Sequence, residues 1–289
     1  MTPSGLAPED VPLLRCPGCR GALRWEGSLR AGRLWEGALA CARCAPPWPL
    51  REGLARLYRE GEVRGTDRLL RVFYDGLPAL HDPAVRLLIP LFQTEGSERS
   101  LREGYLRRMD LGSLKTRPDG TPPRVLEVGI GTGVNVGLVR HSLTSTVKVD
   151  YWGIDLSEGM SRVGMGKVLE AGGEPVRWAL ADAHALPFGD GSFDRVFHVG
   201  ALGSYRDPAR ALAEMARVAA PGTPLVAVDE QLDPARAHSV YHQAMFRLVT
   251  FYDRAPHCPR EHVPAGAVEV REEQVSRFFY CLSFRMPGA

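Results

Sequence analysis

Residues 124–135, R-V-L-E-V-G-I-G-T-G-V-N, constrain the chain more than any other stretch. An apolar run with an acid at Glu127 breaks into glycines at Gly129, Gly131 and Gly133, then resumes as a helix start. The pattern predicts a buried strand, a tight turn and a helix N-terminus, a layout that brings backbone NH groups close to a ligand. A dinucleotide-binding turn needs its third glycine three residues after Gly131, and Val134 stands there.

With 289 residues and 44% hydrophobic composition, the chain can hold one full α/β domain and a small appendage. Thirty-six basic against thirty-four acidic residues give +2, which argues for neither a nucleic-acid stripe nor an acidic tail. No run reaches the ~18 apolar residues of a membrane span, and no signal peptide is evident. The expectation is a cytoplasmic protein with reduced thiols.

Cys16-Pro-Gly-Cys19 and Cys41-Ala-Arg-Cys44 are two C-x-x-C pairs separated by twenty-one residues. Each pair can sit on a knuckle turn and offer two thiolates to a tetrahedral Zn²⁺. A disulfide is disfavoured by the compartment, chance by the pairing, and a redox site would show one pair. Residues 22–25 and 34–40 alternate as a small hairpin between the pairs, in a module that needs metal to fold. Residues 60–117 read as helical, with Tyr74-Asp75 and His81-Asp82 punctuating an amphipathic region and Asp82 placed to cap a helix at Pro83.

An α/β alternation follows. Strands are expected at residues 124–128, 151–155, 176–181, 194–199 and 224–230, and helices after residue 134, after Ser157 and from Pro208. Asp155, at the tip of the second strand, is placed to accept from both ribose hydroxyls of a nucleoside, with Leu156 and Met160 against its base. Residues 234–251 read as a helix carrying Tyr241, Phe246 and Phe251, and residues 268–270 and 278–284 as a closing hairpin. Cys258 and Cys281 read as plain free thiols.

The glycine segment resembles the first motif of class I S-adenosylmethionine (SAM) methyltransferases. Asp182-Ala183-His184-Ala185-Leu186-Pro187-Phe188, followed by Ser192-Phe193-Asp194-Arg195-Val196, resembles the D-A-x-x-L-P-F signature of small-molecule members of the ubiquinone and menaquinone biosynthesis type. Glu214-Met-Ala-Arg217-Val-Ala-Ala-Pro221-Gly222 is similarly family-typical. Residues 14–57 resemble the zinc ribbons that act as activator subunits of tRNA and protein methyltransferases.

The resemblance implies a Rossmann-like α/β fold, with a seven-stranded, mostly parallel sheet and a small N-terminal zinc ribbon. The implied organisation is a ribbon at 1–58, a helical lid or connector at 59–117 and a SAM-binding domain at 118–289. It implies a cofactor site of Glu127, Gly129, Gly131, Gly133, Asp155, Leu156, Met160, Asp182, Ala183 and His198, with Asp182 on the adenine amino group. His198 falls near the transferred methyl, where a neutral imidazole could act as base. Tyr74, His81, Asp229 and Tyr241 would face the acceptor, and Cys16, Cys19, Cys41 and Cys44 would hold zinc. The reaction implied is methyl transfer to a small aromatic or apolar acceptor. Other readings stay open: an rRNA or tRNA methyltransferase using the ribbon to touch RNA, a non-catalytic SAM-binding partner subunit, or a different SAM reaction on the same fold. The ribbon would dock a partner or its own methyltransferase domain.

Overall fold

The computed structural model describes residues 4–80, 82–83, 87, 98–143, 147–253 and 255–288. Two antiparallel hairpins come first. β1 (Leu23–Arg30) and β2 (Arg33–Cys41) reverse over Ala31-Gly32, at φ 48° and 75°, and β3 (Trp48–Arg51) and β4 (Leu54–Leu57) reverse over Glu52-Gly53, at 47° and 81°. Two successive left-handed residues match the twist of the strands they join. Among the described residues, α1 (Gly65–Gly76) and α2 (Glu98–Leu106) follow.

Strands and helices then alternate: β5 (Arg124–Val128), α3 (Val134–Ser142), β6 (Asp150–Asp155), α4 (Glu158–Ala171), β7 (Arg177–Ala181) and β8 (Arg195–Val199). The chain continues with α5 (Pro208–Val218), β9 (Pro224–Glu230), α6 (Val240–Val249), β10 (Val268–Gln274) and β11 (Phe279–Arg285). The strands β5 to β9 are mutually parallel, and β11 is antiparallel to both β9 and β10. The order β7-β6-β5-β8-β9-β11-β10 is the expected seven-stranded Rossmann-like sheet. Its central strands are nearly continuous apolar runs because helices cover both faces.

The N-terminal hairpins extend this sheet. β4 pairs in parallel with β7, Ala55 opposite Ala179, so β1-β2-β3-β4 covers an edge that would otherwise present unpaired backbone groups. Leu34, Leu39, Trp48 and Leu50 pack in the same apolar cluster as Trp152, Phe188 and Phe193. Trp152 meets both phenylalanines edge-on, at centroid distances of 5.5 and 6.1 Å.

The helix expected over residues 234–251 is shorter. Asp233 Oδ1 accepts from Ala235 N at 2.9 Å, holding that stretch in a turn, and Ser239 caps α6 by accepting from His242 N. Cys258 and Cys281 are buried free thiols, and burial raises the pKa of each above the usual thiol range.

Leu57 is fully buried where β4 meets the main sheet. Leu57→Ala is expected to lower unfolding stability by about 2–5 kcal/mol in urea titrations, through lost transfer energy and the cavity left behind. A change below about 1 kcal/mol would show that the N-terminal strands are not part of the cooperative core.

Candidate active site

At the C-terminal ends of the parallel strands, the glycine turn follows β5. Gly129, Gly131 and Gly133 have φ of 73°, 54° and 73°, a left-handed run that side chains would strain. A Cβ on Gly129 would also lie 3.3 Å from the His198 ring. Asp155, at the end of β6, accepts from Gly131 N and Ser157 N, both at 2.8 Å. Burial raises the Asp155 pKa, opposed by those two NH groups. Met160 is buried with its methyl over Gly131, and Leu156 is half-buried beside it.

Glu127 lies below the turn, accepting from Asn135 Nδ2 at 2.6 Å and from the Tyr151 hydroxyl. Burial pushes its carboxyl up to about 7, against the pull of both hydrogen bonds. Asp182, after β7, is fully engaged. Its Oδ1 accepts from His184 N at 2.9 Å and lies 2.6 Å from His184 Nδ1, while Oδ2 accepts from Arg206 Nη2 at 2.7 Å. Burial would raise Asp182, yet the His184 and Arg206 hydrogen bonds hold it at about 2. Ala183 is buried next to it.

His198, near the end of β8, is fully buried, and its Nδ1 lies 2.8 Å from Val128 O. A carbonyl only accepts, so Nδ1 carries the proton and Nε2 keeps its lone pair. Nε2 has no hydrogen-bond partner among the described residues. Burial lowers the basicity of this ring, with Asp229 pulling the other way.

Asp229 accepts from Ala201 N at 2.9 Å and Gly203 N at 2.6 Å. Its neighbour Glu230 accepts from the Tyr252 hydroxyl at 2.8 Å, and burial followed by the Asp229 charge raises Glu230 far above the carboxylate range. Tyr74 joins this cluster: burial, then the charges of Glu230, Asp155 and Asp229, push its phenol up to about 12. Tyr241 is not brought in, since it is half exposed on the outer side of α6. His81 lies outside the described residues. Sequence reasoning missed Tyr205, Arg206 and Tyr252. The Tyr205 ring lies 5.2 Å from His198 and 5.5 Å from His184, and its hydroxyl stands over Gly129. The one available signal was Tyr205-Arg206-Asp207-Pro208, a polar step into a capped helix.

α1 closes over these loops through its aspartates. Asp67, on the inner side, pairs with Arg206, which also reaches Asp182. Asp75 accepts from Ser157 Oγ at 2.6 Å and Gly159 N at 2.9 Å. Asp82, expected as a helix cap, accepts from Thr132 Oγ1 at 2.7 Å and pairs with Lys167.

On the ribbon, Cys16, Cys19, Cys41 and Cys44 place their sulfurs within 4.8 Å of one another, as free thiols. A tetrahedral ion with bonds of about 2.3 Å sets sulfurs about 3.8 Å apart, so the donor set suits one soft divalent ion. The knuckle leans on the Asp182 loop: Arg15 N donates to Pro187 O at 2.9 Å, and Arg20 pairs with Glu214, which accepts from Leu186 N at 2.9 Å.

Residues 126–227 match the family model described as a methyltransferase domain. This stretch is a methyltransferase domain. The chain is 39% identical over 107 residues to phosphatidylethanolamine N-methyltransferase of Cereibacter sphaeroides, spanning 37% of this chain and 50% of that protein. It is 34% identical over 128 residues to demethylmenaquinone methyltransferase of Thermus thermophilus, spanning 44% and 56%. The chain thus spans about half the length of these curated relatives. Among solved structures, a Haemonchus contortus phosphoethanolamine N-methyltransferase bound to phosphomonomethylethanolamine and S-adenosylhomocysteine superposes with TM-score 0.57 at 15% identity, covering 78% of this chain and 61% of that one. The [4+2]-cyclase SpnF superposes with TM-score 0.54 at 15% identity, covering 76% and 96%. These likenesses place the fold of the methyltransferase domain.

The raised Glu127 pKa makes folding pH-dependent. A carboxyl at about 4.5 when unfolded and about 7 when folded stabilises the protein fully below pH 4.5, and that contribution is lost as pH rises through 7. Glu127→Gln should remove this dependence: the stability of wild type minus variant is expected to fall by about 3 kcal/mol between pH 4.5 and 7.5 in urea titrations. A difference that stays constant with pH would place the Glu127 pKa near its ordinary value.

Proposed function

We propose that the chain is a SAM-dependent methyltransferase acting on a small acceptor held under α1. The observation that carries this is the charge of the strand ends. Asp67, Asp75, Asp82, Asp155, Asp182 and Asp229 surround the glycine turn, with Arg206 and Lys167 as the paired cations. Such a site repels the pyrophosphate of a dinucleotide and favours a ligand carrying a sulfonium and an ammonium group. Asp155 would take the ribose hydroxyls, Asp182 and Ala183 the adenine edge, and the glycine backbone the amino-acid tail.

Bound SAM would supply an already electrophilic methyl, so this chain's part is chiefly to orient the acceptor and exclude water. Tyr74, Tyr252 and Glu230 would line the acceptor side, and the His198 Nε2 lone pair would receive a proton where the acceptor must lose one. A small aromatic or apolar acceptor is supported by the likeness to demethylmenaquinone methyltransferase. A second reading, an amine acceptor, is favoured by the tyrosines beside Asp229 and by the likeness to phosphatidylethanolamine N-methyltransferase. Cys16, Cys19, Cys41 and Cys44 would hold a structural zinc ion.

Calorimetry is expected to show binding of SAM and S-adenosylhomocysteine but not NADH. Asp155→Ala should weaken SAM at least about tenfold, the worth of a charge-assisted hydrogen bond. Equal affinity in the variant would remove this placement of the ribose, and NADH binding would overturn the cofactor. For the metal, elemental analysis should find zinc at a one-to-one ratio to protein, lost in Cys44→Ser together with thermal stability. Zinc-free protein of unchanged melting temperature would dismiss the metal centre.

A further inference from the structure

The apolar surface of this protein is unevenly placed. Of fourteen large apolar side chains exposed among the described residues, ten fall within 69–87 and 240–251. On α1, Leu69, Val72 and Phe73, with Leu77 just beyond, follow helical spacing on the side away from the site and are each at least half exposed. The opposite stripe of the same helix, Asp67, Leu70 and Tyr74, faces inward. α1 thus carries a second, apolar stripe that stays at least half exposed. Leu248 on α6 and Phe251 after it are about 60% exposed, and the Phe73 and Phe251 rings lie 6.1 Å apart, so the two helices present one continuous surface. Patches of this kind on a soluble fold mark an interaction site.

The charge around the patch selects its occupant. Arg64 and Arg68 are exposed at the start of α1. The two acids of α1 are turned away, Asp67 onto Arg206 and Asp75 onto Ser157 and Gly159, and α6 carries no acid. A second copy meeting this face across a two-fold axis would oppose arginine to arginine. An apolar plane rimmed by arginine instead suits an anionic bilayer, where the apolar side chains enter the acyl boundary and the guanidinium groups meet lipid phosphates. We propose that the outward faces of α1 and α6 dock the protein on an anionic membrane surface. Tyr74 and Tyr252 lie directly behind this face, so an acceptor dissolved in lipid could reach them without crossing water. That consequence for the acceptor rests on the site reading above, whereas the docking does not.

The test is flotation of the full chain with vesicles of phosphatidylcholine, with and without phosphatidylglycerol, alongside SAM calorimetry on the same preparations. Flotation is expected with the anionic vesicles, less at high salt. Leu69→Ser/Leu248→Ser should reduce it at least about tenfold while SAM affinity stays unchanged, since those side chains touch no part of the site. Arg64→Ser/Arg68→Ser should remove the preference for phosphatidylglycerol. Absence of flotation, or equal flotation of wild type and the leucine variant, overturns the proposal. So does a wild-type mass of two chains that falls to one in the leucine variant, which gives the face to a second copy. If wild type floats but binds no SAM, the methyltransferase reading fails and the membrane surface stands.

Discussion

The site is held shut by carboxylates. Asp67, Asp75 and Asp82 stand at intervals of eight and seven residues, and each reaches a different loop: Arg206 after β8, Ser157 and Gly159 after β6, and Thr132 in the glycine turn. One segment of chain thereby fixes three loops that the parallel sheet itself leaves free at their ends. The bonds join acids to hydroxyl, NH and guanidinium donors, so opening returns both partners to water and costs far less than separating an apolar face of the same size. A cover that must admit a cofactor and an acceptor is well served by contacts of that kind.

Asp182 is both a lid anchor and a candidate adenine ligand, because Arg206 ties it to Asp67. Asp182 Oδ1 already has two partners in His184, but Oδ2 retains a lone pair beyond the hydrogen bond from Arg206, so an adenine amino group could be added there without displacing Arg206. Through Arg206, the position of α1 is linked to that of the Asp182 carboxylate. The ribbon touches the same loop from the other side: Leu14 bridges to Phe188, and Arg20 and Leu186 share Glu214. A metal that fixes the Cys16–Cys19 knuckle would stiffen the far wall of the base pocket, which gives the ribbon a place in cofactor binding without contact with substrate.

The parts written in local pattern were legible in the sequence. Buried parallel strands are apolar almost throughout, so β5 to β9 could be placed within a residue or two, and the glycines, Asp155 and the paired cysteines declare themselves by spacing. Contacts between distant segments could not be read. Nothing local indicates that β4 would pair with β7, or that Asp82 would reach Thr132 and Lys167 rather than serve only as a helix cap. Tyr241 illustrates a different limit: periodicity shows that a helix has an apolar stripe, but α1 has two and α6 exposes one, so the stripe alone does not say which side meets the site. Tyr205 and Arg206 escaped because they lie on a loop, where no period exists to mark them.

His198 shows how the same geometry limits the chemistry. Its Nδ1 proton is committed to Val128 O, which fixes the ring, and its burial keeps it neutral. A neutral ring with a free Nε2 lone pair is a competent proton acceptor, yet one sealed from water must receive the proton directly from the acceptor, because the Tyr205 hydroxyl lies 3.4 Å from Nδ1, which already carries its proton. An acceptor already deprotonated at neutral pH would not need that step. For an amine arriving as ammonium, the first proton must leave before attack, and Asp229 beside this ring would hold that cation in place until it did. On the proposed reading, Asp229 and His198 would therefore matter most for acceptors that reach the site protonated, and least for phenolates.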